Sequence, residues 1–509
     1  MAIETPSPQQ DAKDYDDLCE KLKEISTLNG ISGLLGWDEM VMMPEGAADC
    51  RGQQKAILAG IIHDKATNPQ LGELLQRLQT NGKTGDQIQS AVVREAKRDY
   101  VRNTAVPRKL AKRRAELETE GYTAWVKARE ASDFSMFAPK LEEWVQLSRD
   151  IAKSIDPKRP AYDVLLDQYE KGMTMERLDQ IFEQVEDGLV PLITKLREGT
   201  APDTTVIAGE FDTAVQSQLC NDIVKQLGFE LKRGRLDVSV HPFTGGSHPT
   251  DVRMTTRFKP DDLTEGLTGA IHETGHALYE QGRNLELDGL PINEALSMGM
   301  HESQSLLWER MVALSPAFSR FLLPRLQKAF PQLDKLTAET LWPAFNAIRK
   351  PSLIRVEADE AQYPMHIILR YKLEKGLING SVKVADLPEL WNQGMQDYLG
   401  CSPPNDAQGV LQDVHWSAGL FGYFPTYTLG AMYACQIYEA AKKAIPNLED
   451  NISDGTFPPL RQWLNESIHQ VGCLYPSSDE LLLAATGKEL EPEVFLEYLT
   501  SKFSKLYQV

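Results

Sequence analysis

Apolar residues recur at helical intervals along much of this chain, and one segment instead alternates apolar and polar residues as a β-strand does. Residues 13–155 contain long stretches with the helical period, among them DDLCEKLKEISTLNGISGLLGW and LEEWVQLSRDIAKSI. The strand-like segment is RLDVSVHPFTGGSHPTDVRMTTRF, residues 235–258. A chain with this pattern buries its apolar faces by packing helix against helix. We therefore predict a mainly α-helical fold with one small β element.

Two polar segments interrupt the helical period and predict loops between groups of helices. They are DPKRPAYD at residues 156–163 and REGTAPDTTVIAGE at residues 197–210, and each could mark a boundary between lobes. A chain of 509 residues, 42% of them hydrophobic, is long enough for several domains or for one large body.

The charge balance and the cysteines narrow the class of partner and the compartment. A formal net charge of −19 opposes attraction to nucleic-acid phosphates and to anionic membranes, so we expect neither as a partner. Six cysteines at irregular spacings favour free thiols in a reducing compartment. The acidic N-terminal segment MAIETPSPQQDAKDYDDL has neither a secretory nor a mitochondrial pattern, and no apolar run approaches the length of a membrane span. We expect a cytoplasmic protein.

The strand-like segment has the pattern of a β-hairpin that turns at Gly245 and Gly246. On its second arm Asp251, Arg253 and Thr255 are two residues apart, so a strand presents all three on one face. Such a hairpin could form one wall of a cleft, or it could be a structural hairpin edged with solvated charge.

The segment AIHETGHALYE, residues 270–280, places two histidines and a glutamate on one predicted helix. Asp262 is a candidate N-cap with Glu265 three residues later, and Gly282 is a candidate stop. On that helix His272 and His276 lie one above the other, the spacing of a zinc peptidase helix. Gly275 costs about 1 kcal/mol relative to alanine, which indicates that another element packs closely against that turn. Alternatively, the two histidines are hydrogen-bonded core residues.

A catalytic zinc site needs a third protein ligand. The next helical stretch, PINEALSMGMHESQSLLWERMVAL, offers Glu294, His301, Glu302 and Glu309. Glu302 follows His276 by 26 residues, enough for one loop and a returning helix, and we predict it as the third ligand. Glu273 would then lie beside a metal-activated water as the general base. The alternative is that these acids form a solvated stripe.

Six motifs together resemble the carboxypeptidase Taq family of thermostable metallocarboxypeptidases in order and spacing, and the similarity covers nearly the whole chain. They are HPF (241–243), DVRMT (251–255), HETGH (272–276), HESQS (301–305), IRVEAD (354–359) and GVLQDVHW (409–416). The resemblance implies a helical peptidase domain over residues 1–509, with an N-terminal lobe of approximately 1–200 and a catalytic lobe of approximately 201–509. It also implies a deep groove between the lobes, a short sheet at its wall, and a homodimer.

The same resemblance implies an activity and a set of site residues. The activity is removal of single residues from the free C-termini of peptides. His272, His276 and Glu302 match the metal ligands, and Glu273 matches the general base. The implied cofactor is one divalent ion per chain, zinc or cobalt, because His and carboxylate ligands accept both.

Further residues of the motifs are candidates for binding the substrate. Arg253 and Arg355 match arginines at the closed end of the family's groove, where a guanidinium would pair with the substrate carboxylate. Without the resemblance, ion pairs of Arg253 with Asp251 and of Arg355 with Asp359 would be favoured.

Four more side chains could act in the groove. His415 and Tyr423 could donate hydrogen bonds to the developing oxyanion or to the substrate, or they could be core residues beside Trp416. We predict that His241 and Gln304 act in the groove or orient the metal ligands.

Three functions remain open from the sequence. The first is a metal-dependent carboxypeptidase, and the second is a metallo-oligopeptidase that cuts short peptides internally. The third is a peptide-binding protein on the same fold that has lost activity, against which the intact Glu273 argues.

Overall fold

Helices make up most of a computed structural model that describes residues 8–80, 86–348 and 352–509, which confirms the predicted fold class. The first seven residues of the acidic N-terminal segment lie outside that range. The helices of the first part of the chain are α1 (Pro8–Val41), α2 (Ala48–Ala66), α3 (Pro69–Thr80), α4 (Gln87–Ala105), α5 (Arg108–Ala131), α6 (Ala138–Ile155), α7 (Ala161–Leu166), α8 (Met175–Glu198) and α9 (Thr213–Leu227). Both predicted loops therefore fall mainly between helices.

The remaining helices surround and follow the sheet. They are α10 (Leu263–Gly282), α11 (Met298–Leu306), α12 (Pro316–Ala329), α13 (Ala338–Phe345), α14 (Tyr363–Asn379), α15 (Leu387–Leu399), α16 (Pro425–Ala444), α17 (Leu448–Asp454), α18 (Pro458–Leu464), α19 (Ser478–Thr486) and α20 (Pro492–Tyr507). Within the described ranges, none of the helices combines the length and the apolar composition that a membrane span requires.

The sheet contains three strands where the sequence predicted a two-stranded hairpin. They are β1 (Gly234–Val238), β2 (Thr244–His248) and β3 (Asp251–Thr256), in the order β1-β3-β2. Strand β3 pairs parallel with β1 and antiparallel with β2. The predicted turn position is wrong, because Gly245 and Gly246 lie inside β2 and the chain turns at residues 249–250. Gly246 has a φ of +137°, and a Cβ there would lie 2.1 Å from the Asp251 carbonyl oxygen, so this glycine serves a close strand contact.

Helix α1 covers the edge of the sheet along β2. A Cβ on Gly30 would lie 2.5 Å from the carbonyl oxygen of Ser247, and one on Gly33 would lie 2.6 Å from that of Gly246. Glycine at both positions therefore lets the helix backbone approach the strand backbone. The edge strand is protected from pairing with other chains by this helix.

The main hydrophobic core is continuous from Leu117 to Tyr507 and includes helices on both sides of residue 200. Two smaller clusters lie in the N-terminal region. One joins α1, α3 and α4, and the other joins α4 to Leu290 and Ile292.

Helix α10 begins and ends where the sequence predicted. The Asp262 carboxylate accepts hydrogen bonds from the backbone N–H groups of Thr264 at 2.8 Å and Glu265 at 3.1 Å. The Glu265 side chain pairs with Arg257 and, at 2.6 Å, with Lys259. Glu265 thus ties the helix start to the end of the sheet, which fixes the position of α10 beside β3.

The predicted second helical stretch divides into three parts. Residues Pro291–Asn293 form a 3₁₀ turn, α11 follows, and Leu307–Ala313 continue it as a π-helix. The Ser297 side chain caps α11 by accepting a hydrogen bond from the Met300 N–H at 2.9 Å. The buried Glu170 carboxylate also accepts from the Gly299 N–H at 3.1 Å. These contacts fix the start of the helix that carries Glu302.

Candidate active site

The three predicted metal ligands converge between α10 and α11. Glu302 Oε2 lies 3.2 Å from His276 Nε2 and 3.7 Å from His272 Nε2. One ligand atom from each of the three side chains lies within 4.8 Å of the others. Two imidazoles and one carboxylate in this arrangement match the donor set of a catalytic divalent ion that keeps a position for water.

Two glycines bring the elements close enough for this convergence. A Cβ on Gly275 would lie 2.4 Å from the Gln304 carbonyl oxygen and 2.5 Å from the Ser305 Cα. This confirms the predicted close packing at that turn. Gly430 of α16 makes a similar approach from the other side, since a Cβ there would lie 2.9 Å from the Glu302 Cβ. Glu302 therefore lies between α10 and α16, and both helices approach α11 closely.

Glu309 fixes the orientation of the first histidine. His272 Nδ1 donates a hydrogen bond to Glu309 Oε2 at 2.8 Å, which leaves Nε2 directed at Glu302. Burial lowers the pKa of His272, but the carboxylates of Glu302 and Glu309 raise it to about 10. Burial raises the pKa of Glu302, yet the two histidines and Ser305 lower it to about 2. A carboxylate behind a ligating histidine is a common second layer of a metal site.

The second histidine is held differently. Burial and the nearby His301 lower the pKa of His276, which favours the neutral imidazole that a metal requires. Its ring stacks on that of His301, with centroids 4.5 Å apart and an interplanar angle of 16°. His301 Nε2 in turn lies 2.9 Å from Glu280 Oε1.

A divalent ion fits these residues. His276 presents Nε2 to the cluster, His272 has its other nitrogen occupied by Glu309, and Glu302 is ionised. The side chains of His272, His276 and Glu302 are 23%, 15% and 19% exposed, so water and a substrate can reach the centre.

Glu273 lies next to the ligands and is oriented by the sheet. Thr244 Oγ1 of β2 donates a hydrogen bond to Glu273 Oε2 at 2.6 Å. The same hydroxyl lies 3.1 Å from the Glu273 carbonyl oxygen. The glutamate is 6% exposed, and β2 therefore forms the wall that holds its carboxylate. This placement agrees with the reading of the strand-like segment as a cleft wall.

Arg355 is buried and pairs with Asp413, not with Asp359. Its Nε and Nη2 lie 2.9 Å and 2.8 Å from Asp413 Oδ1, and its Nη1 donates to the Tyr363 hydroxyl at 2.6 Å. Arg370 Nε binds the second oxygen of Asp413 at 2.6 Å. Two guanidinium groups therefore share one carboxylate. Asp359 instead accepts backbone N–H groups at the start of α14.

His415 and Tyr423 belong to the same aromatic cluster as Arg355. His415 Nε2 lies 3.2 Å from the Tyr427 hydroxyl, and burial lowers the pKa of His415 to about 4, so the imidazole is neutral. The rings of Tyr423 and Tyr427 are 5.4 Å apart. Burial and the charge of Glu302 raise the pKa of Tyr423, so its hydroxyl stays protonated at neutral pH.

The other predicted groove residues lie apart from that cluster. Arg253 pairs with Asp251 at 2.7 Å and lies over the Trp37 ring, with 20% of its side chain exposed. His241 is exposed at the end of the sheet. Gln304 is fully buried, and its Oε1 lies 2.9 Å from His469 Nε2. Gln304 therefore packs behind the metal ligands, on the side away from solvent.

Several residues at the site carry no sequence signal strong enough to assign them. Glu309 was one of four acids or histidines in its stretch, and Asp413 lies within a quoted motif without a predicted role. Thr244, Tyr363 and Tyr427 have no distinctive spacing. These residues approach the metal ligands only in the folded structure. The one sequence signal for Glu309 is that a metal-ligating histidine usually needs a hydrogen-bond acceptor for its other ring nitrogen.

Comparisons with known proteins agree on one family. The sequence model described as carboxypeptidase Taq (M32) metallopeptidase matches residues 17–503. Thermostable carboxypeptidase 1 of Thermus thermophilus is 37% identical, over 97% of this chain and 99% of its own. Carboxypeptidase 1 of Bacillus subtilis is also 37% identical, over 97% and 98%. The crystal structure of an M32 carboxypeptidase from Deinococcus radiodurans R1 covers 98% of this chain and 100% of its own, with 35% identity and a TM-score of 0.94.

Proposed function

Because this chain belongs to the carboxypeptidase Taq (M32) family of metallopeptidases, we propose that it releases single amino acids from the free C-termini of peptides. The observation that carries this proposal is the convergence of His272, His276 and Glu302 with Glu273 beside them. A divalent ion bound there would lower the pKa of a water molecule and polarise the scissile carbonyl group.

The chain's own residues supply the proton transfers. We assign Glu273 as the general base, which takes a proton from the attacking water and passes it to the leaving amine. Its hydrogen bond from Thr244 leaves Oε1 for the water and fixes the carboxylate plane. His415 and Tyr423, on the side of Arg355, are assigned as donors to the developing oxyanion or to the substrate.

Substrate binding requires a cation for the terminal carboxylate. We assign this role to Arg253 and Arg355, with His241 at the groove edge. Asp413 leaves a net positive charge on the pair of Arg355 and Arg370, which supports the assignment of Arg355. Gln304 is assigned an indirect role, because it supports α11 from behind through its contact with His469.

The alternative functions are less favoured. An oligopeptidase would cut internally and would not need cations for a terminal carboxylate. A peptide-binding protein without activity would not need Glu273 in its position beside the ligands. The family match over residues 17–503 favours the carboxypeptidase over both.

A direct test uses peptides of about five to twelve residues with free or amidated C-termini. We expect loss of single residues from the free C-termini only, read by mass spectrometry, and no cleavage after treatment with a chelator. Glu273→Gln should abolish cleavage while retaining bound metal. Glu286→Gln, exposed just after the same helix, is the matched control and should stay active. Internal cuts that ignore amidation would establish the oligopeptidase instead.

The role of the groove arginine has its own readout. Arg253→Gln should reduce the preference for free over amidated C-termini if this residue binds the carboxylate. A merely structural role would lower the rates on both kinds of peptide equally.

We also propose finer properties that the family membership suggests. The ion is zinc or cobalt, because the ligand set accepts both. The location is cytoplasmic, which six free cysteines support. We propose a single peptidase domain over residues 1–509, with lobes of approximately 1–200 and 201–509, which the core shared by helices on both sides of residue 200 supports.

A homodimer is the proposed assembly. Helix α2 has no buried residue, and its Ile57 and Ile61 are 68% and 43% exposed. Such a face is suited to contact a second copy. Light scattering after chromatography would measure the mass, and Ile57→Lys should lower it to that of the monomer.

A further inference from the structure

A cavity of about 670 Å³ lies away from the metal ligands, between α4 and the segment from α6 to α7. Its polar lining is dominated by cations, with five basic side chains against the carboxylates of Asp156 and Asp167. The basic residues are Arg94, Lys97, Arg98, Arg102 and Arg159. The lining therefore carries a net charge of +3 in a chain whose net charge is −19.

The helical spacing concentrates this charge. Arg94, Arg98 and Arg102 occur every four residues along α4, so their side chains lie on one face of the helix. Like charges at this spacing destabilise a helix unless they are compensated. Helix stability therefore does not explain why three arginines share this face.

Internal carboxylates compensate only part of the charge. Asp167 Oδ2 lies 2.9 Å from Arg98 Nη2 and 2.6 Å from Arg102 Nη2. Arg159 lies 3.8 Å from the other oxygen of Asp167, which already accepts the Gly172 N–H at 3.1 Å. One carboxylate thus contacts three guanidinium groups, and the charge of Asp99 also acts on Arg98 and Arg102.

Arg94 has its own carboxylate partner but still adds to the net positive charge around the cavity. Its Nε pairs with Glu95 at 2.7 Å, and Glu95 also pairs with Lys171 at 2.7 Å. These three side chains retain one positive charge. Lys97 donates to the neutral Gln79 at 2.6 Å, so its charge is uncompensated there.

The arginines are placed to bind an anion. Arg98 and Arg102 are only 22% and 19% exposed, and burial together with the charge of Arg98 lowers the pKa of Arg102. Both contact Asp167 through Nη2, and their guanidinium groups carry further N–H donors. Partly buried guanidinium groups with free donors bind phosphate oxygens well.

From this cavity we propose a second ligand site on the chain, which binds a small molecule that carries a di- or triphosphate group. The phosphate chain would lie along Arg98, Arg102, Arg159 and Lys97, and its negative charges would offset the net charge of the lining. Apolar side chains also line the cavity, namely Leu78, Val93, Val101, Ile155 and Val164. They could contact the base and sugar of a nucleotide, whereas inorganic polyphosphate would leave them unused.

Calorimetry with tripolyphosphate and with ATP, at physiological salt, tests the site on the metal-loaded full chain. We expect one of the two probes to bind with a dissociation constant below about 1 mM, since several charge-assisted hydrogen bonds to phosphate oxygens would act together. Tighter binding of ATP would identify a nucleotide site, and tighter binding of tripolyphosphate a polyphosphate site. Absence of binding by either probe would overturn the proposal.

A matched pair of variants separates this site from the active site. Lys97→Gln with Arg159→Gln removes two cations that lie at the cavity edge, and binding should weaken about 10-fold to 100-fold. Lys328→Gln with Lys335→Gln removes two exposed cations elsewhere and should leave binding unchanged. If the probes instead bound at the active-site metal, they would bind both variants equally. That result would refute the cavity as the binding site. Should the first variant fold poorly, an anomalous tungstate peak beside Arg98 and Arg102 in crystals of the unmodified chain would decide; its absence would count against the site.

Discussion

Gly275→Ala should impair metal binding although the substitution touches no ligand. The added Cβ would lie 2.4 Å from the Gln304 carbonyl oxygen and 2.5 Å from the Ser305 Cα, where ordinary contact begins at 3.4 Å. Both contacts are with backbone, so α10 and α11 must separate by about 1 Å to admit the methyl group. His276 follows Gly275 directly, and its Nε2 lies 3.2 Å from Glu302 Oε2 across the same gap.

The size of the effect follows from that displacement. Alanine gains about 1 kcal/mol of helix propensity over glycine, whereas overpacking costs about 1–3 kcal/mol. The net change in the free energy of unfolding should therefore be small. A shift of about 1 Å in a catalytic geometry can cost about 100-fold in rate, so we expect activity to fall far more than stability.

Competition with a chromogenic chelator measures metal affinity, and peptide hydrolysis measures kcat/KM. Gly269→Ala is the matched control on the same helix, because its Cβ would lie 3.4 Å from Thr256 Oγ1 and meet no backbone. The control should keep full activity and gain up to about 1 kcal/mol of stability. If Gly275→Ala binds metal and turns over peptides as Gly269→Ala does, the close contact does not position the ligands and the argument is wrong.

Three further perturbations probe the surroundings of the site. Glu309→Gln weakens the acceptor of the 2.8 Å hydrogen bond from His272, so metal affinity in the chelator assay should fall about 10-fold to 100-fold; unchanged affinity would remove Glu309 from the site. Asp413→Asn leaves the buried Arg355 without its counter-charge and should cost about 3–5 kcal/mol in urea unfolding, and a loss under 1 kcal/mol would contradict the burial argument. Burial raises the pKa of Glu374 from 4.5 to about 7, so the folded state binds this proton first and stability from this group rises as the pH falls from about 7 to 4.5. The unfolding free energy of the natural chain should therefore increase relative to Glu374→Gln by up to about 3 kcal/mol over that window, and a difference independent of pH would show that this carboxyl does not titrate there.

Local sequence patterns predicted the metal helix because its geometry is local. His272 and His276 need only the helical period to share a face, and the cap at Asp262 needs only the next turn. Glu302 was predictable because one loop and one returning helix bring it back. Gly275 was informative because an unfavourable residue inside a helix indicates a neighbour at close range.

The remaining contacts depend on tertiary geometry that no short pattern encodes. Asp413 meets Arg355 across 58 residues and Arg370 across 43, so several helices must be placed first. Thr244 reaches Glu273 because β2, paired with β3, lies beside α10. Gly245 and Gly246 predicted a turn, but they lie inside β2, where Gly246 allows a close backbone contact. A glycine pair by itself does not distinguish these two uses.

The contact between α1 and β2 can form only after both segments have been synthesised. Gly246 follows Gly33 by more than 200 residues, so a ribosome adding about 5–20 residues per second makes the strand roughly 10–40 s after the helix. During that interval the face of α1 that carries Gly30 and Gly33 lacks the strand against which it packs in the folded protein. Strand β2 carries Thr244, which orients Glu273, so the catalytic wall can close only after half of the chain has left the ribosome. Helix α1 thus reaches its position against the sheet only after the first half of the chain has been made.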